Sequence, residues 1–559
     1  MKKLLTASEL LIIFLLAIIP VFMTFPYRIN IFLSWEGAYR MTQGHVPFKD
    51  FGMPVGYMFW VLPSLFFKIF GAQLITLIKA QAFINILAGL AFRSIFVSLK
   101  VPPAARFIGV LVFCLSYSFP NYWPWYNHTV IVYDLIALGF LMVYISGRTP
   151  RAAYLWLFLS AFFLFCSFFT KQDGGGLALL ICFALLAYHC FFEKKWLPLG
   201  IYTAALVVSG LLLLLPVSGE GLSYWFNRGQ APHSSRISVT DILGEFLSGS
   251  VWIKFYILMA VLFLMVLFKD SRSFFQDKYL VLLFLLTLGI LAQAAIFQVT
   301  SYVPEDNNIF FHSFAVVFII TIFARLTAID LNSWKPVIIT TVVVMLWWSN
   351  TYWRYIERFL LKGGTKEYTM MQHEGYSYAT EVDKNTFMIE MDTTDIPLHE
   401  WRTPNLHSFE KILLPNPTVD GIERLMNMDL VKNGTGLKVL NMSELTPLAR
   451  EIPFELEKGE DYPLWFHKGV GIFQKETDRF VSRIENQYYD LVLFEYIPYL
   501  NNFYPYEVRN ALKEHYELAD RFTAPRKPTQ HAWIEVYIKK KQVSPATLIM
   551  ETSPDDQQE

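Results

Sequence analysis

Ser34-Trp35-Glu36-Gly37-Ala38-Tyr39-Arg40, then Gly44-His45-Val46-Pro47-Phe48-Lys49-Asp50-Phe51-Gly52-Met53-Pro54, follows directly on the first apolar run of the chain. Two carboxylates, several cations and a set of Gly and Pro residues lie where a chain leaves a bilayer. Upstream, Lys2 and Lys3 precede an apolar segment near 8–26 with no small-x-small cleavage site after it, which predicts a retained first span. Downstream, Tyr57 to Phe70 is apolar but short and contains Pro63 and Lys68. It reads as a helix lying in the membrane interface, because counting it as a span would reverse every later loop.

The same reading extends through the next 280 or so residues. Apolar runs of the length that crosses about 30 Å of hydrocarbon recur near 73–98, 105–120, 128–146, 152–170, 175–192, 197–215, 251–268, 279–299, 308–327 and 336–352. With 8–26 they predict about eleven transmembrane helices. Only 17% of the 559 residues are charged, against roughly 25% in soluble proteins. Net charge is zero, which gives no footprint for nucleic acid. Cys114, Cys166, Cys182 and Cys190 all fall in apolar runs and read as packing residues.

Cations set the expected orientation. Lys2, Lys3, Lys100, Arg106, Arg148, Arg151, Lys194, Lys195, Lys269, Arg272, Lys278, Arg325 and Lys335 all fall on one side if the N-terminus is cytoplasmic. The opening loop, the tips near 121–127 and 171–174, the loop 216–250 and everything after the last span then lie outside. Besides the opening loop, three of these carry candidate chemistry. Asn127 and His128 close an aromatic tip, which serves either as an interfacial belt or as a sugar- or lipid-contacting surface. Lys171-Gln172-Asp173 meets a glycine run at the end of a span. There, backbone amides and Lys171 can face an anion, unless the lysine merely snorkels. Arg228, His233 and Arg236 occupy the 216–250 loop, either as its solvated face or as a gate over an anionic donor. His312, inside a span, is a functional candidate by default or an ordinary hydrogen-bonded histidine.

From about residue 355 the composition becomes that of a soluble domain. Short strands are predicted at Ile412–Pro415, Leu437–Asn441, Tyr489–Phe494, Glu517–Thr523 and Trp533–Ile538, with helices at Thr418–Met428 and Pro505–Tyr516. The expected organisation is a membrane body over 1–352 with its first external loop at 27–72. An extracytoplasmic α/β domain over 353–543 and a flexible tail over 544–559 follow. The domain has no phosphate loop, Cys/His metal spacing or nucleophile elbow, so the chemistry is expected in the body.

The opening loop resembles that of the GT-C glycosyltransferases, and more narrowly the bacterial relatives of the protein O-mannosyltransferases and the lipid A aminoarabinose transferase. The likeness rests on Glu36, Gly37, Tyr39, Gly44, Pro47, Phe48, Asp50, Phe51, Pro54, Phe70 and Gly71, and extends through the many-span body and external domain. It implies a GT-C fold and sugar transfer from a polyprenyl-phosphate donor. The family's usual acidic pair is Asp-Glu, with the Asp taken as catalytic; here Trp35 stands at that position. Either Glu36 takes the role, with Asp50 as the fallback carboxylate, or the activity is altered.

The chemistry is coherent on its own terms. A lipid phosphate leaves as a stabilised anion without a general acid, so the site needs a base for the acceptor hydroxyl and cations for the phosphate. Glu36 or Asp50 supplies the first; Lys171, Arg228 and Arg236 supply the second. Tyr39, Asn127, His128, Gln172, Asp173 and His233 are candidate substrate contacts. A single displacement inverts the anomeric centre. No cofactor is required, although Glu36 and Asp50 can share a divalent metal. The acceptor is a surface glycan, a lipid or a protein, at the outer face of the plasma membrane. Competing structural roles are a Glu36–Arg40 salt bridge one helical turn apart and an Asx turn at Asp50. Competing functions are a transporter or flippase of lipid-linked sugars, disfavoured by charges gathered at one face, and an assembly scaffold.

Overall fold

A computed structural model describes residues 1–27, 31–119, 121–226, 239–248, 251–268, 271–300, 310–327, 329–331, 333–349, 352, 353, 356, 396, 400–459, 462–464, 471–497, 504–525 and 532–540. Each of the eleven predicted apolar runs contains a helix. The first is α1 (Lys2–Ile18), extended by a 3-10 turn to Phe22. The opening loop contributes α2 (Ile31–Thr42) and α3 (Met58–Phe70). The body continues as α4 (Leu74–Ser98), α5 (Pro103–Phe113, running into a π-helical turn to Ser118), α6 (Tyr126–Ile145), α7 (Ala153–Thr170), α8 (Gln172–Glu193) and α9 (Leu197–Leu214). It closes with α10 (Val239–Ser248), α11 (Val251–Leu267), α12 (Ser271–Gln276), α13 (Lys278–Thr300), α14 (Phe310–Thr327) and α15 (Trp334–Trp347).

Among the described residues eight helical segments are long and apolar enough to cross a membrane. A ninth arises if α10 and α11, bent by 78°, form one span. The chain is thus a multi-pass membrane protein. Helix α3 is too short to cross. It buries Phe59, Trp60 and Phe67 and leaves Leu65, Ile69 and Phe70 outward, as an interfacial helix does.

The C-terminal region holds a four-stranded sheet of β4 (Val439–Met442), β5 (Leu491–Tyr496), β6 (Tyr516–Thr523) and β7 (Trp533–Lys539), ordered β4-β5-β7-β6. The β4–β5 pair is parallel and the others antiparallel. The parallel pair is crossed by α18 (Phe473–Glu485), after α16 (Asn416–Asn427) and α17 (Asp429–Asn433); α19 (Tyr506–His515) leads into β6. A second sheet is shared between the two regions. Strand β1 (Phe25–Pro26), immediately after the first span, pairs in parallel with β3 (Ile412–Pro415), whose other edge takes β2 (Trp401–Arg402).

One apolar core accordingly runs from the opening loop into the C-terminal domain. Trp35, Phe51, Phe59 and Trp60 join Leu491, Val492, Leu493, Ile534 and Val536, with Tyr122 and Tyr126 from the aromatic tip. A separate core holds the bundle together. Burial of large aromatic groups contributes about 2–3 kcal/mol each, so the loop is fixed by packing.

Two glycines permit this packing. A Cβ on Gly37 would overlap the Trp60 indole, and one on Gly56 would overlap the Phe169 carbonyl oxygen at the end of α7. Backbone cannot yield as a side-chain tip can. Gly56→Ala is expected to cost about 1–3 kcal/mol. Gly176→Ala, where a Cβ meets open space within α8, is expected to be neutral or slightly stabilising. Thermal unfolding of the two purified variants in detergent checks both.

Candidate active site

Helix α2 presents Glu36 and Arg40 one turn apart on a shared face. Arg40 Nε and Nη2 reach Glu36 Oε1 at 2.9 and 2.8 Å. The Arg40 side chain is 1% exposed and that of Glu36 13%. The salt bridge weighed from the spacing is therefore present, and it uses one carboxylate oxygen. Among the described residues none hydrogen-bonds Glu36 Oε2.

Arg40 is held from the other side by the C-terminal region. Its Nη1 donates to the Glu457 carbonyl at 2.5 Å. The guanidinium lies 4.6 Å from the Tyr462 ring centroid and 5.7 Å from that of Phe51. Trp35, next to Glu36, is fully buried. It stacks on Tyr39 at 4.6 Å and donates from Nε1 to the Ala72 carbonyl at 3.2 Å. This position belongs to the core. Tyr39 is half-buried, and burial raises its phenol above its ordinary value against the pull of Arg450.

Asp50 closes its own turn. It accepts the Val46 N–H at 2.8 Å on Oδ2, and its own N–H donates to the Val46 carbonyl at 2.8 Å. The bond reaches four residues back, so Asp50 closes the turn from its far end and does not make the Asx turn considered for it, in which the side chain bonds an N–H two residues on. From here the chain runs along the C-terminal region: Gly459 N–H donates to the Asp50 carbonyl at 2.8 Å, Gly52 N–H to Tyr462 at 2.9 Å, and Leu464 N–H to Gly52 at 2.8 Å. Four residues later Gly56 N–H donates to the Thr170 carbonyl at 3.2 Å. This contact places the opening loop against the turn that carries Lys171.

At that turn Lys171 is extended and breaks α7 from α8. Its Nζ pairs with Asp173 Oδ2 at 3.1 Å and lies 5.0 Å from the Phe297 ring and 5.9 Å from that of Tyr126. Asp173 Oδ1 also accepts the N–H of the next residue, Gly174, at 2.7 Å within the first turn of α8. Gln172 donates to the Trp225 carbonyl at 3.1 Å, which ties the turn to the segment Glu220–Phe226. Asn127 and His128 are buried in the first turn of α6. Arg228, His233 and Arg236 lie outside the described residues. Among the described residues no group of three His, Cys, Asp or Glu is placed to hold a metal. His312 is hydrogen-bonded to Tyr256 at 2.9 Å and lies against Trp252 at a ring separation of 4.2 Å, the ordinary histidine role.

Two features escaped sequence reasoning. Tyr462 and Glu457 reach Arg40 from more than 400 positions away, and no local pattern marks them. Asp134, buried in α6, accepts a hydrogen bond from Gln293 at 3.2 Å, and the same Gln293 nitrogen reaches the Gly174 carbonyl at 3.3 Å. The signal for it was a lone carboxylate in an apolar run.

No family model matches the chain, and no curated protein matches it. Among solved structures, the chain is similar to the crystal structure of ArnT from Cupriavidus metallidurans in the apo state. The identity is 11% and the TM-score 0.49, over 96% of this chain and 97% of that one. It is also similar to the crystal structure of ArnT from the same organism bound to undecaprenyl phosphate, at 14% identity and a TM-score of 0.36. That match covers 62% of this chain and 63% of the other chain's length.

His45, whose N–H donates to the Arg40 carbonyl at 3.0 Å, gives the loop a pH dependence. Burial first, then the Arg40 and Lys458 charges, hold its imidazole below the ordinary 6.5, against the pull of Asp50. The folded state therefore binds fewer protons than the unfolded one below that pH, so stability is lost as pH falls. A drop in melting temperature between about pH 7.5 and about pH 5.5 is expected to be smaller in His45→Gln than in the parent.

Proposed function

We propose that the chain is a membrane glycosyltransferase moving a sugar from a polyprenyl-phosphate donor to a hydroxyl acceptor, at the outer face that the Lys and Arg bias indicates. One observation carries the reading. A carboxylate with one oxygen held and the other free of described partners sits in a loop that backs, through Gly56 and Thr170, onto the Lys171 turn at the end of the helical bundle. The loop that carries the proposed base thus touches the turn that carries the proposed cation, and the opening-loop resemblance names a reaction needing both.

In this reading Glu36 takes the proton of the acceptor hydroxyl as its oxygen attacks the anomeric carbon. The bond from that carbon to the phosphate oxygen breaks, and the polyprenyl phosphate departs with the electron pair. Lys171 faces the growing negative charge, exchanging part of its bond to Asp173 for the phosphate. One displacement inverts the anomeric configuration. Arg228 and Arg236 remain proposed phosphate contacts, and Tyr39, Asn127, His128, Gln172, Asp173 and His233 proposed substrate contacts. Asp50, engaged with Val46, shapes the loop and stands behind Glu36 as base. The prenyl tail of such a donor needs an apolar groove between spans.

Asp134 favours a second reading, a carrier of lipid-linked sugars, because carriers place ionisable groups inside the bundle. The two are separated by purified protein in nanodiscs, supplied with a panel of polyprenyl-phosphate pentoses and hexoses and a membrane extract as acceptor. The transferase reading expects Glu36→Gln to lower kcat by about 10²–10⁴-fold with donor binding retained, and Lys171→Ala to lower kcat/KM by about 10²-fold. Transfer by none of the donors, with transbilayer movement of a labelled lipid-linked sugar abolished by Asp134→Asn, would establish the carrier instead.

A further inference from the structure

Residues 457–459 and 462–464 contact the opening loop beside both of its carboxylate-bearing positions, at Arg40, at the Asp50 backbone and at Gly52. Glu457 offers its carbonyl to Arg40. Gly459 donates to the carbonyl of Asp50, and Tyr462 and Leu464 pair with Gly52 on both sides of Pro463. The Tyr462 ring lies between two guanidiniums, 4.6 Å from Arg40 of the loop and 5.8 Å from Arg479 of α18. Each guanidinium has its own carboxylate. Arg40 holds Glu36, and Arg479 Nη2 lies 2.6 Å from Glu476, which is 1% exposed. Glu457 is fixed in turn, with its carboxylate paired to Arg483 and accepting the Tyr489 hydroxyl at 3.0 Å. Burial raises the Tyr462 phenol above its ordinary value, and the charges of Arg40 and Glu36 on one side and of Arg479 and Glu476 on the other all act on it.

We infer that the C-terminal domain is a working part of the active site, with Arg40 and Tyr462 as positioning residues that fix the Glu36 carboxylate through a strap formed by residues 457–459 and 462–464. The inference rests on Glu36 being the base proposed above. The physical reason is the side chain's freedom. An unheld Glu in a loop samples several rotamers, and a misplacement of about 1 Å can cost 10²-fold in rate. Two guanidinium nitrogens converging on Oε1 fix the side chain to one arrangement and leave Oε2 to face the acceptor. The guanidinium itself is oriented by the Glu457 carbonyl and the nearer of its two aromatic faces, that of Tyr462, both from the C-terminal domain. The domain therefore does more than cover the loop: without the strap, α2 retains Glu36 but loses its aim. Arg is required at position 40, because an ammonium cannot fork onto the carboxylate, reach a carbonyl and stack at once.

The test uses the full-length protein in nanodiscs and reads two independent quantities. The first is labelling of Glu36 by a water-soluble carbodiimide with glycine ethyl ester, followed by mass spectrometry, which needs no substrate. The second is kcat and KM with whichever polyprenyl-phosphate sugar the donor panel identifies. Tyr462→Leu and Arg40→Lys are expected to raise Glu36 labelling several-fold and to lower kcat about 10–10²-fold with donor KM little changed. Tyr462→Phe, which keeps the ring between the guanidiniums, is expected to restore both. Melting temperatures identify any variant that fails to fold, and Tyr462→Leu alone suffices if Arg40→Lys does. Unchanged Glu36 labelling and unchanged kcat in folded Tyr462→Leu would overturn the inference. A wild type that transfers from no donor would overturn the proposed reaction, while the labelling contrast would still show whether the strap holds Glu36.

Discussion

A guanidinium removed from water must have its charge met and its donors filled, and Arg40 is almost entirely removed from water. Breaking such a buried pair by deleting one partner costs roughly 3–5 kcal/mol, so the surroundings of Arg40 are not interchangeable. Glu36 meets the charge, the Glu457 carbonyl fills Nη1, and Phe51 and Tyr462 offer the electron-rich faces that suit a weakly hydrated planar cation. Two of the four come from the opening loop's own neighbourhood and two from a segment more than 400 residues later. The loop can reach its final shape only when the C-terminal region is in place. The pairing of β1 with β3 expresses the same dependence in the backbone.

The membrane body supplies a fixed platform for this assembly. Gly56 approaches the end of α7 closely enough that a methyl group would not fit, and Tyr57 donates to the Leu213 carbonyl of α9 at 3.0 Å. Tyr57 and Phe48 also pack against Phe169. The loop is therefore clamped between the C-terminal strap on one side and the α7–α8 break on the other. That break is where Lys171 leaves helical geometry, because the glycines after it let the first turn of α8 pack against Phe168 and Phe297.

What could be read from the chain alone follows from how local each signal is. Apolar runs are local, so each of the eleven segments contains a helix and α3 is a short outward-facing one. Strand alternation and apolar clustering are local too, so β3, β5, β6 and β7 lie where the pattern placed them to within a few residues. The two-residue strand β1 carries no pattern of its own and exists only through its partner. Helix α18 follows undescribed residues and is rich in charge, and its apolar stripe of Phe473, Phe480 and Ile484 is thin. At the site, the four-residue spacing from Glu36 to Arg40 was legible as a salt bridge. That Arg40 is buried, and that Tyr462 and Glu457 bury it, required the fold.

The division of labour between the loop's two carboxylates follows from the same geometry. A carboxylate that accepts a backbone N–H within its own turn, as Asp50 does from Val46, cannot swing to a substrate without opening the turn that Phe48 and Phe51 also close. Glu36 is constrained differently. Its partner is a side chain one helical turn away, both Arg40 nitrogens converge on a single oxygen, and the other oxygen stays outside the pair. The neighbouring position, where the resemblance leads one to look for an aspartate, is a tryptophan whose indole fills the core between α2 and α3 and whose N–H is spent on Ala72. An acid there would face apolar side chains and not an acceptor. In the proposed reaction the proton can be taken only by a carboxylate that is both held and open on one side, and in the opening loop that description fits Glu36 better than Asp50.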